Sequence, residues 1–336
     1  MNPTRAITFD DVLLVPNYNH YESRRDVDIS VTDRRQKLTL KLPLFTSNMD
    51  TVTEHEMANF IGTKGGMGVL HRFMSIDENV EQFKKCAHPV FISVGCSDKE
   101  LERAAALRDA GANFFCVDVA HGHARYVGRM LKQLRELLPD GCIMAGNVAT
   151  YAGADYLAQC GADLIKVGIG GGSVCTTRIK TGFGVPMLTS IQDCARVDRS
   201  IIADGGIRTP GDIVKALAFG ADFCMIGGLL AGTKPTPGAV LSDASGQKYK
   251  EYRGMASREA QEDFLGNMSE WKTAEGVSTR VPYRENENEI IADLVGGLRS
   301  GLTYGGAASI RELQRKLIYT EVSTFGRIES LPHKTL

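Results

Sequence analysis

The same junction appears three times along this chain: a helix-like stretch ends on glycine, alanine follows, and an apolar run begins. It reads Asp-Ala-Gly-Ala at 109–112, Cys-Gly-Ala-Asp at 160–163 and Phe-Gly-Ala-Asp at 219–222. Glycine closes a helix because it alone enters the left-handed region without strain. A chain that repeats this turn is built from successive strand–helix units. Eight apolar runs fit that scheme, at 42–49, 66–71, 90–95, 114–120, 142–149, 164–169, 200–206 and 223–228. Each is mostly apolar without alternation, as a strand buried on both faces should be.

Helical periodicity fills most of the gaps, at 126–138, 152–160, 188–197 and 209–219. A further stretch opens with Ser97-Asp-Lys-Glu100, which has the form of a capping box, and runs to Ala110. Thr209 with Pro210 is another helix start, and Gly111, Gly161 and Gly220 are stops. Eight such units without a reversal predict a (β/α)8 TIM barrel, taken as one domain over 1–336. A doubly wound open sheet is the architectural alternative. The segment FDDVLLVPNYNHYESRRDVDIS before the first strand reads as a lead-in covering one end of the body. Two last helices are expected at 290–299 and 310–316.

Charge and cysteine usage exclude several function classes. Apolar residues make up 43% and charged residues 24%, and the formal net charge is -1 without a basic block. That balance argues against a nucleic-acid or membrane-surface partner. The opening MNPTRAITFDD lacks a signal-peptide pattern, and no apolar run approaches the ~18 residues of a membrane span, so a cytoplasmic protein is expected. None of the eight cysteines forms a C-x-x-C pair, and Cys96, Cys116, Cys142 and Cys224 lie in or beside strand-like runs. This is the usage of reduced, buried thiols, with no disulfide or zinc framework.

Cys175 stands apart. It sits in Gly168-Ile-Gly-Gly-Gly-Ser-Val-Cys-Thr-Thr-Arg178, where four glycines precede a thiol flanked by hydroxyls and a guanidinium. A free cysteine is most often a small buried hydrophobe. The loop position, the nearby Arg178 and amides free to face an anion are instead the setting of a reactive thiol beside a phosphate site. The other strand ends carry polar residues as well: Ser47-Asn48-Met49-Asp50, His71-Arg72, Asp118 to His123, Gly146-Asn147, Asp204-Gly205-Gly206 and Gly227-Gly228. One Asp or Asn after a strand is usually a turn or cap. Seven such ends converging on the C-terminal face of a barrel make a ligand site, with Gly205-Gly206 and Gly227-Gly228 where such barrels hold phosphate. His121 and His123, two apart and without a third partner, read as non-ligands. The glycine pattern also fails as a dinucleotide fingerprint at its third glycine.

After the last strand comes a long insertion at 229–287, with a hairpin-like AVLSDASGQKYKEY followed by a polar stretch. A loop of that length in a compact domain is usually functional, and here it would form a lid over the active face.

These motifs together place the chain in a known group. GIGGGSVCTTR, FDDVLLVP, SNMDTVTE, AGNVAT and ADGGIRTPGD resemble, in order and over essentially the whole chain, the inosine-monophosphate dehydrogenase/GMP reductase family. Gly171 departs from it, since the family usually has proline there. Dehydrogenases of the family usually insert a pair of CBS modules after the second unit, and 71–90 leaves no room for them. They also use an Arg-Tyr pair in the lid to activate water, which 254–275 lacks. The stretch GMASREAQEDFLGNMSEWKTAEG instead resembles the lid of the reductases. Tyr252-Arg-Gly-Met255 and Val281-Pro-Tyr283 also suit bacterial dehydrogenases.

The resemblance therefore implies NADPH-dependent reductive deamination of GMP to IMP and ammonia through a Cys175 thioimidate. A dehydrogenase without CBS modules, oxidising IMP with NAD, and a non-catalytic nucleotide sensor are the alternatives. It implies Thr177 and Glu275 as proton donors beside Cys175. It implies Asn147, Ser173, Asp204, Gly205, Gly206, Gly227, Gly228, Gly254, Met255 and Ala256 around the nucleotide, with Asp204 toward the ribose. Ser23, Arg24, Arg72, Asp118, Ala120, Met255, Trp271 and Lys272 are implied for NADPH. The carbonyls of Gly170, Gly172 and Cys175 are implied for potassium, and a homotetramer for the assembly.

Overall fold

Eight parallel strands close on themselves in the computed structural model, which describes residues 5–266 and 273–332. They are β1 (Leu44–Thr46), β2 (Met67–Leu70), β3 (Val90–Val94), β4 (Phe114–Asp118), β5 (Cys142–Val148), β6 (Leu164–Val167), β7 (Ser200–Asp204) and β8 (Phe223–Ile226). Each pairs with the next, and β8 pairs with β1. Eight helices follow them in turn: α1 (His55–Thr63), α2 (Ile76–Lys84), α3 (Asp98–Asp109), α4 (Arg125–Leu137), α5 (Tyr151–Gln159), α6 (Met187–Cys194), α7 (Pro210–Ala218) and α8 (Glu287–Tyr304). This is the (β/α)8 barrel expected from the repeat, and the open-sheet alternative is set aside.

The Gly-Ala-Asp junctions have a direct use. Asp163 and Asp222 each bond twice to the strand before their own. The Asp163 amide donates to the Ile143 carbonyl at 2.7 Å while its Oδ2 accepts the Ile143 amide at 2.9 Å. Asp222 repeats this with Ile201 at 2.8 and 2.9 Å. A carboxylate accepting a backbone amide makes a charge-assisted bond, so each junction staples two strands at the mouth where the chain enters. An antiparallel hairpin (Val31–Thr32 with Thr39–Leu40) covers that mouth. Its Lys37 reaches the Gly141 carbonyl at 2.8 Å, and the Arg34 amide donates to Ser200 Oγ at 2.9 Å. Inside the barrel, Phe45 meets Phe91 and Phe223 edge-on at 5.7 and 5.4 Å between centroids, the arrangement that ring quadrupoles favour.

One local expectation gives way to tertiary structure. Ser97 does precede α3, but its side chain accepts no capping bond. Glu100 turns inward instead, accepting the Gly95 amide at 2.7 Å and Arg103 Nε at 3.2 Å. Arg103 is fully buried, and an ion pair there outweighs an exposed cap. The capping box forms on α2, where Ser75 Oγ accepts the Glu78 amide at 3.1 Å and Glu78 accepts the Ser75 amide at 2.8 Å.

The insertion after β8 builds the expected hairpin, Leu241–Ser242 against Lys248–Arg253. Ser278–Pro282, read from sequence as part of a polar stretch, adds a third strand. A helix, Arg258–Leu265, lies between them and is capped by Ser257 Oγ. Between β2 and β3 the chain forms only α2. Among the described residues no helix is long and apolar enough to cross a membrane.

Candidate active site

The loop after β6 is shaped by its glycines. Gly168 has φ +146, and a Cβ there would sit 2.0 Å from the Asp204 carbonyl oxygen. Only glycine therefore lets this loop cross the end of β7 so closely. At Gly171 an added Cβ would meet nothing nearer than Met187 at 3.4 Å, so local packing does not demand glycine at this departure from the family pattern. The loop then turns back, with the Cys175 amide donating to the Gly172 carbonyl at 3.1 Å.

Cys175 Sγ lies 3.2 Å from Thr177 Oγ1, and Thr177 Oγ1 donates to Glu275 Oε2 at 2.8 Å. Backbone bonds fix this row. The Thr176 amide donates to the Glu275 carbonyl at 2.8 Å, the Glu275 amide to Ala256 at 2.9 Å and the Val277 amide to Val174 at 3.0 Å. The lid is thus stitched directly to the cysteine loop. Burial pushes the Cys86 and Cys96 thiols up to about 11, and those of Cys116, Cys142, Cys194 and Cys224 higher still, so none of these is a ready nucleophile.

At the base of the cysteine loop Asp118, Asn147 and Asp204, all named from the sequence, gather around a lysine that the sequence reading passed over. Lys166, on β6 and almost fully buried, donates to Asp118 Oδ1 at 2.6 Å, to Asp204 Oδ2 at 2.9 Å and to Asn147 Oδ1. Asn147 Nδ2 in turn donates to the Gly168 carbonyl at 2.7 Å and to Asp204 at 2.9 Å. Burial acts to depress the Lys166 ammonium, but the two carboxylates outweigh it and hold the pKa above the usual lysine range. For Asp118, burial acts to raise the carboxyl, and the Lys166 charge with bonds from Lys166 and Asn48 brings it below its ordinary value. A lysine inside Leu164-Ile-Lys-Val167 was the available signal, since a charge in a doubly buried strand needs partners.

At the other end, Ser173 Oγ and Tyr252 Oη stand 3.1 Å apart beside Gly227-Gly228. A Cβ on Gly227 would meet Ser47 Oγ at 2.8 Å, and one on Gly228 would meet Ser173 Oγ at 3.3 Å. Gly205 (φ +105) and Gly206 (φ +77) complete a cradle of backbone and hydroxyl groups. Tyr252, carried in by the lid strand and 6% exposed, is the second functional candidate missing from the sequence-derived set.

All these groups line one open cavity of about 1030 Å³. It brings together Cys175, Thr177, Glu275, Asn147, Ser173, Asp204, Gly205, Gly206, Gly227, Gly228, Gly254, Met255, Ala256, Arg72, Asp118, Ala120, Gly170 and Gly172. Ser23 and Arg24 do not line it. Their loop is held elsewhere, with the Arg24 carbonyl accepting Arg299 Nη1 at 3.1 Å. Trp271 and Lys272 lie outside the described residues. His121 and His123 have ring centroids 6.5 Å apart, and among the described residues no group of three or more His, Cys, Asp or Glu is placed to hold a metal.

A family model described as the IMP dehydrogenase / GMP reductase domain matches residues 6–333. The chain belongs to that family. It is thereby one of a group of oxidoreductases of purine metabolism. Over 329 residues it is 38% identical to GMP reductase 1 of Mus musculus, covering 94% of this chain and 95% of that protein. A crystal structure described as inosine 5′-monophosphate dehydrogenase from Legionella pneumophila is 72% identical, with a TM-score of 0.89, covering 96% of this chain and all of that one. A Trypanosoma brucei GMP reductase crystallised with guanosine 5′-monophosphate superposes with a TM-score of 0.92 at 28% identity, covering 100% and 99% of the two chains. The match to this family spans the barrel, the cysteine loop and the lid together.

Proposed function

We propose that this member of the family is a GMP reductase, converting GMP to IMP and ammonia at the expense of NADPH. The observation that carries the reading is the row Cys175–Thr177–Glu275, with separations of 3.2 and 2.8 Å. The Thr177 hydroxyl hydrogen points to Glu275, so its oxygen accepts the Cys175 S–H. The thiol proton passes through Thr177 to Glu275 as the sulfur attacks purine C2. The tetrahedral adduct then breaks its C2–N bond. The same proton returns through Thr177 to the departing amine, and ammonia leaves a thioimidate on Cys175. Proton, thiol and amine balance without water, and Glu275 is the acid that an amine leaving group needs.

NADPH, when bound, supplies the hydride that replaces the amine at C2. The cavity is roomier than a single nucleotide requires. Asp118, Ala120, Arg72 and Met255 line the same cavity and fit a nicotinamide nucleotide, Arg72 supplying a cation. When the C2–S bond breaks, the thiolate takes up a proton from solvent, since the one it began with has left with ammonia, and the same row can relay it. Ser173, Tyr252 and the Gly205, Gly206 and Gly228 amides would hold the GMP phosphate, and Asp204, oriented by Lys166 and Asn147, the ribose hydroxyls. For potassium, the Gly170, Gly172 and Cys175 carbonyls offer three oxygens. A hard cation takes about six to eight, so this loop would furnish part of a shell. A homotetramer and a cytoplasmic setting belong to the same proposal.

The 72% identity to the Legionella protein described as an IMP dehydrogenase favours a second reading, IMP oxidation to XMP with NAD. That reaction must hydrolyse the covalent intermediate, and 254–275 lacks the Arg-Tyr pair that the family's dehydrogenases use for water. Absorbance at the reduced-nicotinamide band separates the two. GMP with NADPH should show a fall accompanied by IMP and ammonia, and IMP with NAD should show no rise. A rise with XMP formed would replace the reductase reading by the second.

A further inference from the structure

Arg253 touches nothing in the proposed reaction, yet its guanidinium spans two parts of the chain. Nε and Nη2 donate to Asp50 Oδ2 at 3.0 and 2.6 Å, and Nη1 donates to Asp263 Oδ2 at 2.6 Å. Asp50 follows β1 on the barrel, whereas Asp263 lies on the lid helix Arg258–Leu265. Other ties converge on the segment that Arg253 begins. The Arg253 amide donates to Thr51 Oγ1 at 3.2 Å, the Asp50 amide to Met255 Sδ at 3.2 Å and Gln261 Nε2 to the Met255 carbonyl at 2.8 Å. The next residue, Ala256, accepts the Glu275 amide at 2.9 Å. A continuous line of bonds therefore runs from the lid helix to the acid.

We infer that Arg253 is a positioning residue, which joins Asp50 to Asp263, fastens the lid helix to the barrel and so sets Glu275 opposite Thr177. The inference rests on reading Thr177 and Glu275 as the proton relay. Its two arms differ in kind. Asp50 is 13% exposed and its pair is largely sheltered, while Asp263 is 67% exposed and its pair is open to screening by salt. Lid fastening, and with it turnover, should therefore weaken as ionic strength rises.

Replacing Arg253 itself would strand Asp50, whose Oδ1 has no partner among the described residues, and such a chain could fail to fold. Asp263→Asn cuts only the exposed arm, and Asp263→Glu serves as the conservative rescue. The full-length protein is assayed with GMP and NADPH at about 0.05 M and about 0.5 M salt, with amide hydrogen exchange followed in parallel. Asp263→Asn should lower kcat about three- to tenfold, leave the GMP KM within about twofold, and lose the salt response of the parent. Asp263→Glu should restore both. The amides of Ala260 and Gln261 should exchange faster in Asp263→Asn, with those of the barrel strands unchanged. Parental kcat, salt response and exchange in Asp263→Asn would overturn the inference. If the parent itself does not turn over GMP, the relay reading fails separately. Exchange alone then decides: faster exchange in the lid supports the fastening, and unchanged exchange overturns it.

Discussion

Replacing Lys166 by methionine tests what holds the polar wall of the cavity in its ionised form. Nζ lies 2.6 Å from Asp118 and 2.9 Å from Asp204. At an effective dielectric near 20, each contact corresponds to about 6 kcal/mol of attraction, set against a desolvation cost of several kcal/mol per ion. Methionine keeps the apolar stem but leaves two carboxylates and the Asn147 oxygen facing one another. Breaking a buried pair in this way costs about 3–5 kcal/mol, or roughly 4–7 °C of Tm for a chain of this size. The sign with pH follows from the same contacts. In the parent, Asp118 titrates below its ordinary value, so its contribution is present above the unfolded pKa and is lost as pH falls through the folded one. In the variant one carboxyl must hold a proton at neutral pH, and acidification relieves the strain. The deficit should therefore shrink between about pH 7 and pH 5. Thermal unfolding of both proteins across that range reads it directly, and the GMP KM should rise about tenfold as Asp204 loses its orientation. A deficit under about 1 kcal/mol, or one flat with pH, would refute the electrostatic account of this wall.

Three further outcomes follow from the same geometry. Glu275→Gln should lower the rate of ammonia release about 10²- to 10⁴-fold with the GMP KM little changed, and Thr177→Val should give much the same loss, the double variant being no worse than either; additive losses in single-turnover measurements would break the relay. In Gly205→Ala the backbone stands at φ +105 with the new Cβ 3.0 Å from the Gly172 amide, so about 1–3 kcal/mol of stability should disappear and nucleotide affinity with it; an alanine variant with parental Tm and affinity would show that the loop yields freely. The hydrogen bond from His71 holds Glu54 below its ordinary value, so its stabilising share is present above about pH 4.5 and is lost as pH falls through the lower folded value; Glu54→Gln should flatten that acid limb in denaturant titrations, and an unchanged limb would remove Glu54 as its cause.

Why some of this was legible in the sequence, and some was not, follows from the range of each interaction. The barrel could be read because its signals are local and repeated: a glycine that only a helix end needs, and runs apolar on both sides. The Asp of the Gly-Ala-Asp junction belongs to the same signal, yet its purpose, stapling Ile143 or Ile201 some twenty positions away, appears only in three dimensions. Ser97 misled because a local cap competes with whatever Glu100 meets after folding, and it meets buried Arg103. Lys166 was hidden by averaging, as one charge among apolar neighbours leaves the run reading as a strand.

The lid is where sequence reasoning thins out, and on the proposed reading it is also where the choice of reaction resides. In the proposed reaction a thioimidate on Cys175 is attacked by hydride, in the second reading by water, and the same cysteine loop would serve either. What would differ between the two readings is the group that the lid sets beside the sulfur. Glu275 could be picked out by its resemblance to a reductase pattern, but nothing in its neighbours along the chain dictates that it should reach Thr177. It does so because its own backbone is clamped between Ala256 and Thr176, and Ala256 follows a segment tied at Arg253 and Met255 to the end of β1. Tyr252 reaches Ser173 by the same route. The acid and the phosphate cradle are therefore set by one piece of lid strand, so a change that shifts that strand should alter nucleotide affinity and proton delivery together, whereas a change in the cysteine loop alone can separate them.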